Sequence, residues 1–338
     1  MSLPPFPDGW YFLARSDELK AERVLTRRLA GEDVVLFRTR TGSAAAVRPY
    51  CPHLGAHLGH GSKVEGEELR CAMHGFCFDT SGQCTRTPYQ KRTPPKAKLA
   101  PHLLREMHGV LLVWHSSDAR APSWEVPNVN IDGFSSLRST TYEMNGHPQE
   151  TTENSVDLGH LGTLHAFFDV EMTSPLVTEG AHLSASFAFS RSAGFFGRRD
   201  ALRAFYTAHA YGLGYSFVEV EVPMFGLRTQ QYVFATPTDP GRLALTIAMR
   251  AATPALAGAI NPLFRLLPSR PLRELVSTLI MFGYENEVGR DVAVWNHKKY
   301  LESPALADGD GPIGRYRRWA KQFYGSPLRN ESRDLDVA

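Results

Sequence analysis

Between Trp10 and Tyr50, short apolar runs (WYFLAR, ERVLTRRL, DVVLFRT, AAAVRPY) are interrupted every few positions by Gly, Asp and Ser. Runs of that length with turn-forming punctuation predict a small antiparallel sheet. Strand character continues through FCFD to VLLVW at 110–114. SSDARAPSWEVP then reads as a linker, being rich in Ser, Pro and Ala. A boundary is expected near residue 120, dividing the chain into units 1–120 and 121–338.

The second unit opens with ETTENSVDLGHLGTLHAFF, a polar and helical-looking segment. Longer strands follow in YSFVEVEVPMF, RTQQYVFATPT and RLALTIAMR, with Asp239-Pro240-Gly241 as a hairpin turn between the last two. A helical stretch from about Leu272 to Tyr300 closes the pattern, and the last ten residues read as a frayed end. Antiparallel strands with helices segregated from them make the fold class α+β.

At 338 residues the chain suits two domains. Lys plus Arg total 37 against 35 Asp plus Glu, scattered rather than striped, so no nucleic-acid footprint appears. No basic-then-apolar leader and no uninterrupted apolar run of membrane-spanning length is evident, and a cytoplasmic location is expected. The four cysteines, Cys51, Cys71, Cys77 and Cys84, are clustered. In a long cytoplasmic chain such clustering favours a metal over a disulfide framework.

Cys51-x-His53 and Cys71-x-x-His74 are two short Cys/His pairs able to close on one inorganic centre. Structural zinc would take all four ligands tetrahedrally, whereas a Rieske 2Fe-2S cluster takes both thiolates on one iron and both imidazoles on the other. The surroundings favour iron, because Pro52, Gly55, Gly59, Gly61 and Gly75 allow backbone amides to approach bridging sulfides. His57 and His60 fit no second Cys-x-His pair and read as loop histidines. Cys77 and Cys84 read as small buried residues.

A second set of ligands lies downstream. Two imidazoles and one carboxylate on one face of an iron form the facial triad of O2-activating non-heme enzymes. His160 and His165 supply the imidazoles. Asn154, Asp157 and His160 share one helical stripe, but His165 lies about 140° around from His160, so a kink, bulge or helix end is expected near Gly159 and Gly162. In YENEVGRDVAVW, Asp291 sits on the apolar stripe of Val288, Val292 and Trp295 and is the best candidate for the acid. Glu287 points off that stripe and is weaker. Spacing alone does not exclude Glu285.

CPHLGAHLG and CAMHGFCFDTSGQC resemble the Rieske domain of the terminal oxygenase components of Rieske non-heme iron oxygenases. Asn-x2-Asp-x2-His-x4-His followed by a distant Asp-Val-x-Val-Trp-Asn-x-Lys is similar to their catalytic domain. PYQKRTPP, GVLLVWH and the stretch from Asp291 to Tyr324 look like the branch holding bacterial 3-ketosteroid 9α-hydroxylase and animal cholesterol 7-desaturases. The resemblance implies an all-β Rieske domain, then a helix-grip (START/Bet v1-like) catalytic domain with an antiparallel sheet. It implies a 2Fe-2S cluster on Cys51, His53, Cys71 and His74, and Fe(II) on His160, His165 and Asp291.

It implies further that O2 oxidises a sterol, steroid or similar apolar polycyclic lipid, by hydroxylation, desaturation or stepwise oxidation of a methyl group. Electrons would come from NAD(P)H through a separate flavin/iron-sulfur reductase, with or without a ferredoxin. The chain itself shows no dinucleotide fingerprint, since YGLGYS at 211–216 lacks the pattern. A head-to-tail homotrimer is implied, with Asp157 bridging His160 to a neighbour's His74. Asn154 would line the iron pocket. Phe167 and Phe168 read as core aromatics or as walls of an apolar cavity. Residues 251–282 read as a core-covering helix pair or an apolar entrance touching a membrane. An aromatic-ring or alkaloid oxygenase, and an electron carrier with a lipid-binding domain, are the rival readings.

Overall fold

The computed structural model describes residues 3–89, 91–192, 201–254 and 268–325. The stretch 255–267 and the last ten residues, both read above from sequence, lie outside them. Eleven short strands come first: β1 (Gly9–Arg15), β2 (Arg23–Leu29), β3 (Glu32–Arg38), β4 (Ala44–Val47), β5 (Lys63–Glu65), β6 (Glu68–Arg70), β7 (Cys77–Phe78), β8 (Cys84–Arg86), β9 (Pro101–His102), β10 (Leu104–Met107) and β11 (Val110–His115). They pair antiparallel into sheets ordered β1-β11-β10, β2-β3-β4-β9 and β5-β6-β7-β8. The unbroken apolar run of β3 has a simple cause. Val35 and Phe37 face a core shared with Leu58, Leu69 and Phe78, while Val34 and Leu36 face a second core with Tyr11, Leu111 and Val113. A strand buried on both faces needs no polar alternation.

The remaining strands are β12 (Arg138–Asn145), β13 (Phe168–Glu179), β14 (His182–Ser192), β15 (Ala201–Tyr211), β16 (Tyr215–Val222), β17 (Leu227–Asp239) and β18 (Arg242–Ala251). They make one antiparallel sheet in the order β12-β18-β17-β16-β15-β14-β13. The Asp239-Pro240-Gly241 hairpin joins β17 to β18 as the pattern required. Four helices accompany the sheet among the described residues: α1 (Pro148–Glu153), α2 (Gly159–Thr163), α3 (Ser269–Trp295) and α4 (Ile313–Ala320). The class is α+β, with α3 laid across one face of the sheet. Leu245, Ile247 and Met249 of β18 meet Met281, Val288 and Trp295 of α3 there.

The opposite face of the same sheet packs on the first unit. Tyr215, Phe217, Tyr232 and Phe234 share a core with Trp10, Phe12, Val110 and Leu112, and Phe12 stacks on Phe234 at 4.8 Å between ring centroids. Backbone and side-chain bonds reinforce the seam. Ala30 N donates to Pro237 O and Gly31 N to Thr238 O, both at 2.8 Å, and Thr236 Oγ1 donates to Phe12 O at 2.7 Å.

The helical segment read from 150–168 is not one helix. After α1, the amides of Asn154, Ser155 and Val156 bond three residues back, and the Leu158 amide leaves the helical ladder for Asp310 O at 3.2 Å. This first break, upstream of Gly159, is caused by a tertiary bond that periodicity does not register. The helix end expected near Gly159 and Gly162 is present as well, since α2 stops at Thr163, between His160 and His165. A second turn follows α2, where Ala166 and Asp169 adopt left-handed φ values of 57° and 51°.

Candidate metal centres

The two Cys/His loops have matching backbones. Gly55 N donates to Cys51 O at 2.9 Å and Gly75 N to Cys71 O at 3.0 Å, and both glycines hold positive φ, 77° and 66°. A side chain at either would strain this turn, which folds each loop tightly behind its cysteine. Cys51 and Cys71 are free and buried, with their thiols interacting. Burial pushes the Cys51 thiol up to about 11. A thiol so placed becomes a thiolate only when a metal takes the proton's place.

The rings of His53 and His74 lie edge to face at 4.6 Å, and His53 stacks on Phe76 at 4.4 Å. His53 Nδ1 is buried without a hydrogen-bond partner, a ligand atom held ready. Two buried thiols and two imidazoles fit the donor set of a Rieske cluster. Both nitrogens of His57 are engaged elsewhere, Nε2 near Asp33 Oδ2 at 3.2 Å and Nδ1 accepting from Gly59 N at 3.1 Å. His60 is exposed, and Cys77 and Cys84 are buried and unpaired. Around the loops, Tyr50, Leu54, Met73 and Tyr89 form an exposed apolar rim.

The second centre is assembled from three elements. α1 is buried along its whole length. His147 caps it, with Nδ1 accepting from Gln149 N at 3.1 Å and Nε2 bonded to Pro4 O at 2.9 Å. Burial pushes His147 down to about 4, so it stays neutral and can accept. Glu153 at the end of α1 is bound by both arms of Arg317 from α4, at 2.6 and 3.1 Å. Tyr316 Oη donates to Gln149 O at 2.6 Å. These bonds fix the point at which the chain leaves α1 for Asn154, Asp157 and His160.

Asp157 Oδ1 accepts from His160 N at 3.3 Å, and its Oδ2 lies 3.5 Å from His160 Nδ1. Burial alone would raise the Asp157 carboxyl. The hydrogen bonds and charge of His160 more than offset it and hold Asp157 below the usual range. The His160 Nδ1 contact is at the limit of a hydrogen bond, and that buried nitrogen has no well-formed partner.

His165, from the turn after α2, meets α3. His165 Nε2 is 3.4 Å from Asp291 Oδ1, and Asn154 Nδ2 donates to the same oxygen at 3.3 Å. One ligand atom from each of His160, His165 and Asp291 lies within 4.8 Å of the others. Asp291 and His165 are 7% and 8% exposed, so two of the three donors are nearly dry. Two nitrogens and a carboxylate oxygen converging in a buried place fit one divalent first-row ion with open positions. Burial pulls His165 down, but Asp291 and Glu287 outweigh it and the group sits above the ordinary histidine range. The same negative field would favour a cation.

Glu287, read as pointing off the stripe, stands instead at this site, with Oε2 2.9 Å from His165 Nδ1. Only the i, i+4 spacing to Asp291 could have signalled it. Glu285 is engaged away from the site by the Thr140 hydroxyl. Phe167 stacks against His165 at 5.5 Å and on Phe189 at 4.3 Å, whereas Phe168 is 43% exposed.

A cluster-binding all-β unit, joined to an antiparallel sheet that grips a long helix whose buried Asp291 meets two histidines from α2 and the turn after it, defines a Rieske-type oxygenase. The Rieske 2Fe-2S domain model matches residues 9–103, and the 3-ketosteroid 9α-hydroxylase C-terminal domain model matches residues 113–324. The chain belongs to the Rieske non-heme iron oxygenases, in the branch that carries this C-terminal domain. Cholesterol 7-desaturase of Ciona intestinalis is 30% identical over 345 residues, covering 95% of this chain and 70% of that one. The oxygenase component of 3-ketosteroid-9-alpha-monooxygenase from Rhodococcus rhodochrous is 25% identical over 327 residues, covering 94% and 84%.

Among solved structures, apo dicamba monooxygenase superposes with a TM-score of 0.68 at 17% identity, covering 95% of this chain and 98% of that one, a likeness of fold. The protein is thus an oxidoreductase. Its Rieske domain implies a 2Fe-2S cluster, and its electrons come from a separate donor. Among the described residues no helix is long and apolar enough to cross a membrane.

The 310–311 loop supplies the stop for the whole 156–160 segment. Gly311 has φ +91°, and a Cβ there would lie 2.2 Å from Val156 O. Gly311→Ala is expected to cost about 2–4 kcal/mol through backbone strain and overpacking. It should lower the thermal midpoint and the mononuclear iron content while cluster absorbance per folded chain is kept. Unchanged iron content would show that this loop does not position His160.

Proposed function

We propose that the protein is the terminal oxygenase of a multicomponent system that oxidises a sterol, steroid or similar polycyclic lipid. The observation that carries this reading is the convergence of His160, His165 and Asp291 beside the Phe167–Phe189 stack. Matching over nearly the whole chain to relatives named for cholesterol and 3-ketosteroid substrates supports the substrate class. Cys51, Cys71, His53 and His74 would hold the cluster, and His160, His165 and Asp291 the mononuclear Fe(II). When bound, that iron supplies O2 activation for attack on a C–H bond.

The chain's own residues do the rest. Asn154 fixes the Asp291 carboxylate by donating to Oδ1, the oxygen that also lies 3.4 Å from His165 Nε2. Phe167, Phe189 and Tyr206 give the site an apolar flank that excludes water and suits a ring system. Burial and the Asp291 charge raise the Tyr206 phenol, so it stays protonated and available as a donor.

Asp157 orients His160 and, in a head-to-tail homotrimer, would also accept from His74 of a neighbouring copy, carrying electron flow between subunits. The half-exposed carboxylate of Asp157 and the apolar rim around His53 and His74 support such a contact. The donor would be an NAD(P)H-dependent flavin/iron-sulfur reductase, with or without a ferredoxin, in the cytoplasm. The two units divide near residue 120. Leu275, Leu279 and Phe282 form an exposed apolar stripe on α3 with Arg270 nearby, a face suited to a membrane surface where such a substrate would reside.

Turnover with a surrogate reductase over a sterol and steroid panel, with products read by mass spectrometry, should give an oxidised polycycle. Product only from aromatic acids or alkaloids would refute the substrate class. Asp157→Ala should retain both metal centres and lose nearly all turnover, and full activity would remove the bridging role. In liposome flotation the wild type should rise with the vesicles, and Leu279→Asp/Phe282→Asp should not. Equal flotation would reject the α3 contact.

A further inference from the structure

Two carboxylates one helical turn apart grip the same imidazole. Asp291 faces His165 Nε2 at 3.4 Å, and Glu287 faces His165 Nδ1 at 2.9 Å. A carboxylate oxygen can only accept, so Nδ1 carries the proton in the Glu287 contact, and Nε2, on the Asp291 side, is the nitrogen left for a metal ion to take. That is the tautomer a metal-binding histidine needs, and outer carboxylates of this kind fix ring orientation and raise the ligand's basicity. The comparison with the other imidazole is informative. His160 Nδ1 has Asp157 only at 3.5 Å, without a formed bond. The better-made carboxylate–imidazole contact in the centre is therefore the one on Glu287.

Glu287 is itself held. Arg290 Nη1 lies 3.6 Å from Glu287 Oε2 and donates to Leu164 O at 3.4 Å, tying α3 to the residue before His165. Glu287 keeps 23% of its side chain exposed and, among the described residues, has Arg290 as its one Lys or Arg neighbour. A surface ion pair of that sort contributes little to stability. The carboxylate thus has one well-formed partner, and that partner is the imidazole.

We propose that Glu287 is a positioning residue for His165, setting its tautomer and ring orientation so that Nε2 is presented to the mononuclear iron. The proposal rests on the reading of His160, His165 and Asp291 as the iron ligands.

The test is anaerobic titration with ferrous ion of the full chain, holding its cluster and stripped of mononuclear iron by a chelator. Glu287→Met keeps side-chain length and removes the acceptor, and Glu287→Gln keeps an acceptor for the Nδ1 proton. Glu287→Met should bind ferrous ion about 10–100-fold more weakly than wild type. Glu287→Gln should recover most of that loss, and both should keep wild-type cluster absorbance and thermal midpoint. Equal affinity in Glu287→Met and wild type overturns the proposal, as does an equal loss in both variants. Where Glu287→Met does not fold, Glu287→Ala takes its place under the same criteria. His165→Ala separates the two readings. If it still binds ferrous ion like wild type, the ligand assignment fails. If it loses binding while Glu287→Met does not, only the role of Glu287 fails.

Discussion

Asp291 is a carboxylate buried on a helix face that otherwise presents Met281, Val288 and Trp295 to the sheet. An uncompensated charge in such a place costs several kcal/mol, and a neutral amide and an imidazole are incomplete compensation. The surrounding structure can be understood as the supply of what Asp291 lacks. Asn154 arrives from the end of α1, which the Glu153–Arg317 pair and the Tyr316 bond hold against α4. His165 arrives from a left-handed turn after α2, which the Leu158–Asp310 bond detaches from α1. A divalent cation would complete the balance. The charge belongs to α3, but its neighbours belong to segments that only the tertiary fold brings there.

The large sheet serves two masters through the simple alternation of strand side chains. Along β17, Tyr232 and Phe234 join the core shared with the first unit, while Val233 and Ala235 face the α3 side. Along β18, Ala248 faces the first unit and Ile247 and Met249 face α3. The cluster unit and the His/Asp group are therefore fastened to opposite faces of one element. A shared aromatic core of this kind does not permit hinge motion at small cost, because Phe12 and Phe234 would have to separate. On the proposed reading, electron transfer works within a fixed geometry set by assembly, not by swinging of one unit on the other.

This division also explains which parts were legible in the sequence. Strands β17 and β18 carry long apolar runs because both their faces are covered over most of their length, and β16 does so in its first half, before exposed Glu219 and Glu221. β13, at one edge, is largely exposed, contains Pro175 and loses register in three places. β12, at the other edge, shows mainly polar and half-exposed residues. Edge strands are kept polar and irregular to avoid unwanted pairing, and that erases the alternation by which strands are recognised. The Cys/His loops were legible for the opposite reason. Each pairs its ligands within a few residues, so spacing along the chain already encodes proximity in space.

Asp291 and Glu287 show where periodicity stops being informative. An apolar stripe reports which helix positions face the core of the same domain, and Asp291 stood out because it interrupts that stripe. Glu287 lies beside the stripe and is partly exposed, so nothing in the local pattern separates it from a solvated glutamate. Its partner comes from residue 165, over a hundred positions away, through the left-handed turn that follows α2. Residues four apart on a helix lie on one face about one turn from each other, a distance an imidazole can span with its two nitrogens. Once His165 is set between them, the spacing of Glu287 and Asp291 acquires a meaning: one carboxylate takes the proton-bearing nitrogen and the other stands beside the lone pair.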